Sequence, residues 1–396
     1  MRGTALIYSS HNRGPYLHEN FIVQRALQGN GKILFLPMSE TVQNNSEMER
    51  QEFSWGTFRW FFDQYRRHGL EAFPFYWSSG LKRSDVDQLW HHLWSAEVVI
   101  LGGGHSVTGV RRYKELGWRF ADEWGKFGRL LHERKARGLL TVGFSAGADQ
   151  LCDSMFRRVR GDEFDGKGFG LVRNTLVTLH HEPGDDGDLA FAARKFGDHM
   201  VFGLPNDSGI NHDWGVLPSG NVWQVYEFVI DNSWDLPGDA FHLKTRFGAK
   251  VDHVYHDGRR WSFGGGDLLV RVEAPDGHWR EAWMRVNGQW IHYRTQQPSS
   301  FSSVEQILAS HLNGGNRARR KTPRGSAPTP EATRGSAPTS EARRGSAPTP
   351  EARRGSAPTP EARAWLRSDP RGRASGHETV PRSVGPRIRG VVARRG

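Results

Sequence analysis

The first 155 residues constrain the fold most, because short apolar runs alternate there with segments of helical period. "TALIYSS", "KILFLPM", "LEAFPFYW", "EVVILGGG" and "LLTVGFS" read as strands. Between them lie "HENFIVQRALQG", "SEMERQEFSWGTFRWFFDQYRRHG", "SDVDQLWHHLWSA" with Ser84 as its cap, and a long helical stretch ending at Ala136. Glycines close the first two of these helices. Strands that are apolar throughout need cover on both faces, and a helix in each connection supplies it. The fold class that follows is α/β, with a doubly wound, mostly parallel sheet.

From about Gly220 the pattern changes. "KVDHVYHDGRRWSF", "DLLVRVEAPDGHWREAWMRV" and "VNGQWIHYR" carry DG, DG and NG where tight hairpin turns would sit. The expectation is an α/β domain over residues 1–232 followed by a β-meander extension over 233–300. Trp261, Trp279, Trp283 and Trp290 in that extension read as residues that pack a sheet face, with a ligand platform as the alternative.

A third region begins near residue 311. "RGSAPTPEAT", "RGSAPTSEAR", "RGSAPTPEAR" and "RGSAPTPEAR" repeat with a ten-residue period from Arg324 to Arg363. These units have no large apolar side chain to offset the entropy of ordering, so residues 311–396 read as a disordered tail. The formal net charge of +11 resides there: 19 basic against 6 acidic residues give the tail +13, and the remaining 35 basic and 37 acidic residues give −2. A nucleic-acid partner would therefore rest on the tail alone, and a solvated appendage is the preferred reading.

The lone Cys152 excludes an internal disulfide and falls in an expected helix, where it reads as structural. No run of eighteen apolar residues or export signal is visible, so a soluble cytoplasmic protein without membrane contact is expected. Neither H-E-x-x-H nor C-x-x-C occurs, and no metal or cofactor is called for. Exposed sheet edges would suit a homodimer.

The chemistry concentrates in two glycine-rich turns. Gly143 to Gly147 spell G-x-S-x-G directly after a strand and before a helix. There the glycines relieve crowding, the Ser145 hydroxyl stands above the sheet edge, and the helix start favours developing negative charge. "ILGGGHS" ends the preceding strand, and parallel pairing would bring Gly103 and Gly104 beside Ser145. Their amides, with that of Ala146, are candidates for an oxyanion hole.

"VVILGGGHS", "VGFSAGA", "GFGLVRNTLVTLHHE" and "VFGLPNDSGI", in that order, resemble the peptidase family that contains aspartyl dipeptidase (peptidase E) and cyanophycinase. The resemblance spans roughly residues 30–230. It implies a flavodoxin-like fold related to class I glutamine amidotransferases, and cofactor-free hydrolysis of a small peptide or an aspartyl-type amide. By the same resemblance Ser145 is the nucleophile and His180 the general base, with His181 a competitor; adjacent residues at a strand end point opposite ways, so only one can reach Ser145. The family's acidic position falls on Asn206, with Asp207 one residue later and Glu182 a further candidate to orient the imidazole. His105 stands where the family has asparagine in the glycine loop, and the resemblance makes it a candidate substrate-binding residue. Arg194 lies near the position of a substrate-carboxylate arginine, and is otherwise an exposed helix residue. An α/β-hydrolase esterase would place its acid before the histidine, which this chain order disfavours. An inactive binding protein on the same scaffold is the other alternative.

Overall fold

The computed structural model describes residues 3–10, 14–40, 46–159, 162–231 and 250–312; most of the expected tail lies outside them. Sixteen strands are present among these residues: β1 (Ala5–Tyr8), β2 (Lys32–Leu36), β3 (Glu71–Pro74), β4 (Val98–Leu101), β5 (Leu140–Phe144), β6 (Ser154–Val159), β7 (Asp162–Lys167), β8 (Thr175–Leu179), β9 (Met200–Leu204), β10 (Ser208–Val216), β11 (Val222–Ile230), β12 (Val251–Val254), β13 (Arg260–Phe263), β14 (Leu268–Glu273), β15 (Trp279–Val286) and β16 (Gln289–His292). Ten of them form one sheet in the order β3, β2, β4, β5, β1, β10, β11, β14, β15, β16. The first five are mutually parallel. From β10 onward every pairing is antiparallel.

Side-chain alternation explains why the parallel half is covered twice. Ile33, Phe35, Val98 and Ile100 pack into the layer that holds Phe58 and Phe62 of the helix Glu47–Phe62. Leu34, Leu36, Val99 and Leu101 face the opposite layer, with Val86, Leu89, Tyr113 and Leu131. Each such side chain contributes about 1.5–3 kcal/mol by burial. The helix Glu47–Phe62 starts where Ser46 and Glu49 form a reciprocal capping box and gives way to a 3-10 turn that stops at Gly69, whose φ is +90°. The helix Arg83–Ser95 begins two residues earlier than Ser84 as its cap implies: Lys82 is the cap, and its N–H donates to Asp85. Ser84 therefore lies inside the first turn. The long stretch to Ala136 divides into two helices, Ser106–Ala121 and Lys126–Ala136, at Asp122 with φ +52°.

The three expected turns are present. Gly258 and Gly277 take φ of +86° and +92°, and Asn287 and Gly288 are both positive at 50° and 82°, as a two-residue hairpin with the native twist requires. The strands of the extension divide between two sheets. β14 to β16 lengthen the main sheet beyond β11, while β12 and β13 join β9 and β8 in a four-stranded second sheet. Trp283 and Trp290 are buried with Ile307 beneath the meander, and Trp261 packs against the main core. Among the described residues no helix is long and apolar enough to cross a membrane.

Candidate active site

β5 delivers Ser145 to the edge of the main sheet, beside β1 and β4. Its backbone turns sharply there, at φ 47° and ψ −121°, before the helix Ala146–Leu151 begins. A non-glycine residue in that region carries about 1–3 kcal/mol of strain. Both flanking glycines are required by close approach. A Cβ on Gly143 would lie 2.3 Å from the Gly147 carbonyl oxygen, and one on Gly147 would lie 2.1 Å from that of Leu101. The Ser145 N–H donates to the Tyr8 carbonyl at 3.0 Å, which ties the turn to β1.

The glycine loop after β4 meets this turn. A Cβ on Gly103 would stand 2.8 Å from the Phe144 ring and 3.4 Å from Ser145 Cβ, and Gly104, at φ +123°, sits against the Ser39 carbonyl. Gly104 and Ala146 both line a cleft of about 340 Å³ that opens over Ser145. His105 does not line it. Its exposed ring caps the helix Ser106–Ala121, with Nδ1 accepting from the Thr108 N–H at 3.4 Å, so the expectation that His105 contacts substrate is replaced by a capping role.

His180 comes from the other sheet. β8 and β9 run parallel with Leu179 opposite Leu204, so His180 and Asn206 leave at the same end. Ser145 Oγ and His180 Nε2 are 3.1 Å apart, and His180 Nδ1 lies 2.5 Å from Asn206 Oδ1. An amide oxygen only accepts, so Nδ1 donates and Nε2 is left to receive the serine proton. The His180 N–H donates to Ser9 Oγ at 2.7 Å, and its φ is +53°. His181 turns the opposite way and is buried. Asn206 is thus the residue brought to the imidazole. The Asp207 carbonyl instead accepts from the Asp231 N–H at 2.6 Å, and exposed Glu182 begins the turn before the helix Asp186–Lys195.

Arg194 is exposed in the last turn of that helix and is absent from the cleft lining. The described lining carries Asp149, Asp185 and Asp188 but no Lys or Arg. The Ser106 hydroxyl donates to Asp149 at 2.9 Å. Sequence reading missed Ser9, Ser106 and Asp149. Asp149 was within reach, because the helix that starts at Ala146 brings the residue four positions on back toward Ser145, whose carbonyl its N–H meets at 3.3 Å. Burial pushes the Cys152 thiol well up, in keeping with a structural role.

No family model matches the chain. No curated protein matches it. Among solved structures it is similar to a peptidase from an acI-B1 Actinobacterium, at 17% identity and a TM-score of 0.43, over 67% of this chain and 96% of that one. It is also similar to a Listeria monocytogenes protein named after peptidase E, at 14% identity and a TM-score of 0.34, over 52% of this chain and 93% of the other.

Proposed function

We propose that the protein is a serine-type hydrolase that cleaves an amide bond of a small peptide through an acyl-enzyme on Ser145. The observation that carries this reading is the 3.1 Å approach of Ser145 Oγ to His180 Nε2 at a positive-φ turn. As Oγ bonds to the scissile carbonyl carbon, Nε2 takes its proton, and the same proton passes to the leaving nitrogen as the C–N bond breaks. Water then attacks the acyl ester, gives a proton to Nε2, and Ser145 recovers it as the acyl–oxygen bond breaks. The amides of Gly103, Gly104 and Ala146 are assigned to the oxyanion. Asn206 orients the imidazole without adding the charge of a carboxylate.

The resemblance to peptidase E and cyanophycinase supports a peptidase and implies an aspartyl preference. A substrate carboxylate entering the cleft would meet Asp149, Asp185 and Asp188. Small peptides that are neutral or cationic next to the scissile bond are therefore the favoured substrates. A p-nitrophenyl ester tests the acyl-enzyme: a burst of one nitrophenolate per protein, lost in Ser145→Ala and His180→Ala, is expected. No burst from folded protein contradicts the reading and favours a binding protein, which the neutral Asn206 at the orienting position would suit.

A further inference from the structure

Beside the cleft lies a cluster, built around the buried His181 and Asp252, that the reaction above does not use. We propose that His181, Asp186 and Asp252 anchor the chain behind His180, so that β12 and β13 act as positioning elements for the catalytic imidazole. This inference rests on the Ser145–His180 reading. It gives a role in the reaction to residues beyond the stretch that carries the family resemblance.

His181 is 1% exposed. Its Nδ1 lies 3.2 Å from Thr178 Oγ1, and its Nε2 lies 3.1 Å from Asp186 Oδ1 and 3.6 Å from Asp252 Oδ2. Its backbone N–H donates to the Leu204 carbonyl at 3.0 Å. Both carboxylates are themselves held: Arg260 Nη2 is 2.7 Å from Asp186 Oδ1, and the Ser262 hydroxyl donates to Asp252 Oδ1 at 2.8 Å. One ring is thus fixed from β8, β9, β12 and the start of the helix Asp186–Lys195, with β13 holding the carboxylates.

The next residue back is His180, whose φ of +53° is costly for a side chain with a Cβ. Such a conformation persists only where its surroundings over-determine it. Ser9 Oγ holds the His180 N–H on one side of the residue, and the pinned His181, whose N–H is held by Leu204, fixes the peptide on its other side. Because the two rings leave the strand end in opposite directions, a shift of His181 swings His180 Nε2 away from Ser145 Oγ. The three ligand-type atoms also lie within 4.8 Å of one another, close enough for a cation. The Arg260 guanidinium already supplies positive charge at Asp186, and this favours an anchor over a metal centre.

The test measures inactivation of the full chain by a fluorophosphonate, separating the maximal rate kinact from the half-saturating concentration KI. Asp252→Ala and Asp186→Ala are expected to lower kinact about tenfold to a hundredfold, the scale set by displacements near 1 Å. KI should not change, since the cleft wall is retained. Asp252→Asn keeps an acceptor for Nε2 and should recover most of the loss. Asp186, half-buried at a helix start, supplies a folded variant if Asp252→Ala is unstable by thermal melting. Wild-type kinact in both folded alanine variants overturns the anchor and leaves the serine-hydrolase reading intact, as does a change confined to KI. Loss of wild-type labelling in EDTA, restored by zinc, assigns the cluster to a metal and also overturns it. Folded wild type that never labels refutes the Ser145 reading itself.

Discussion

Replacing Asn206 by aspartate probes the least usual feature of the site. Asn206 Oδ1 lies 2.5 Å from His180 Nδ1, so a carboxylate in the same rotamer would face the imidazolium that forms during proton transfer. With charge centres about 4 Å apart, the attraction is about 4 kcal/mol at an effective dielectric of about 20 and about 1 kcal/mol in bulk water. His180 is exposed and Asn206 only half-buried, which places the site near the lower value. A gain of about 1–1.5 kcal/mol in the transition state corresponds to roughly a five- to tenfold faster reaction. The assay is the maximal rate of fluorophosphonate inactivation, on the plateau of its pH profile, for wild type, Asn206→Asp and Asn206→Ala. Asn206→Asp should be faster and Asn206→Ala slower by about tenfold, through loss of the tautomer lock. An alanine variant as fast as wild type, or an aspartate variant no faster, would refute the claim that the Nδ1 bond assists the reaction.

Gly147→Ala should both destabilise and disarm the protein: its Cβ would press within 2.1 Å of the Leu101 oxygen, costing about 1–3 kcal/mol and displacing Ser145. Urea unfolding and labelling rate together check this. Burial lowers the His253 pKa from the ordinary 6.5 to about 4, so the unfolded chain takes up that proton first. The stability contributed by neutral His253 is complete above 6.5 and is lost as the pH falls toward 4, by about 2 kcal/mol at pH 5. Urea titrations at pH 7 and pH 5 should show His253→Gln with a correspondingly flatter dependence. In a panel of small peptides, those with neutral or basic residues beside the scissile bond should be hydrolysed faster than aspartyl peptides, and Asp188→Asn should narrow the difference.

Local patterns that act over a few residues were legible. The strand, turn and helix around Ser145 and the DG and NG hairpins each follow from steric rules that hold within one turn, and the adjacency of the two glycine loops follows from the parallel pairing of β4 with β5. The opposed directions of His180 and His181 were also readable, though not which of them faces the serine. What escaped depends on contacts between distant segments. Nothing in "KVDHVYHDGRRWSF" indicates that the β12–β13 hairpin joins β9 rather than the meander strands that follow it in sequence. The cap formed by His105 depends on a single rotamer, and the outward direction of Arg194 on how one helix lies against the second sheet. The resemblance had suggested substrate contacts for both.

The central claim is that Ser145 is an activated nucleophile. Its most direct test is intact mass and peptide mapping of the full chain after exposure to a fluorophosphonate, with Ser145→Ala and His180→Ala in parallel. The account predicts a single adduct on the peptide containing Ser145 in wild type and none in either variant. An adduct that survives His180→Ala at the wild-type rate, or one that maps to another residue, would contradict it.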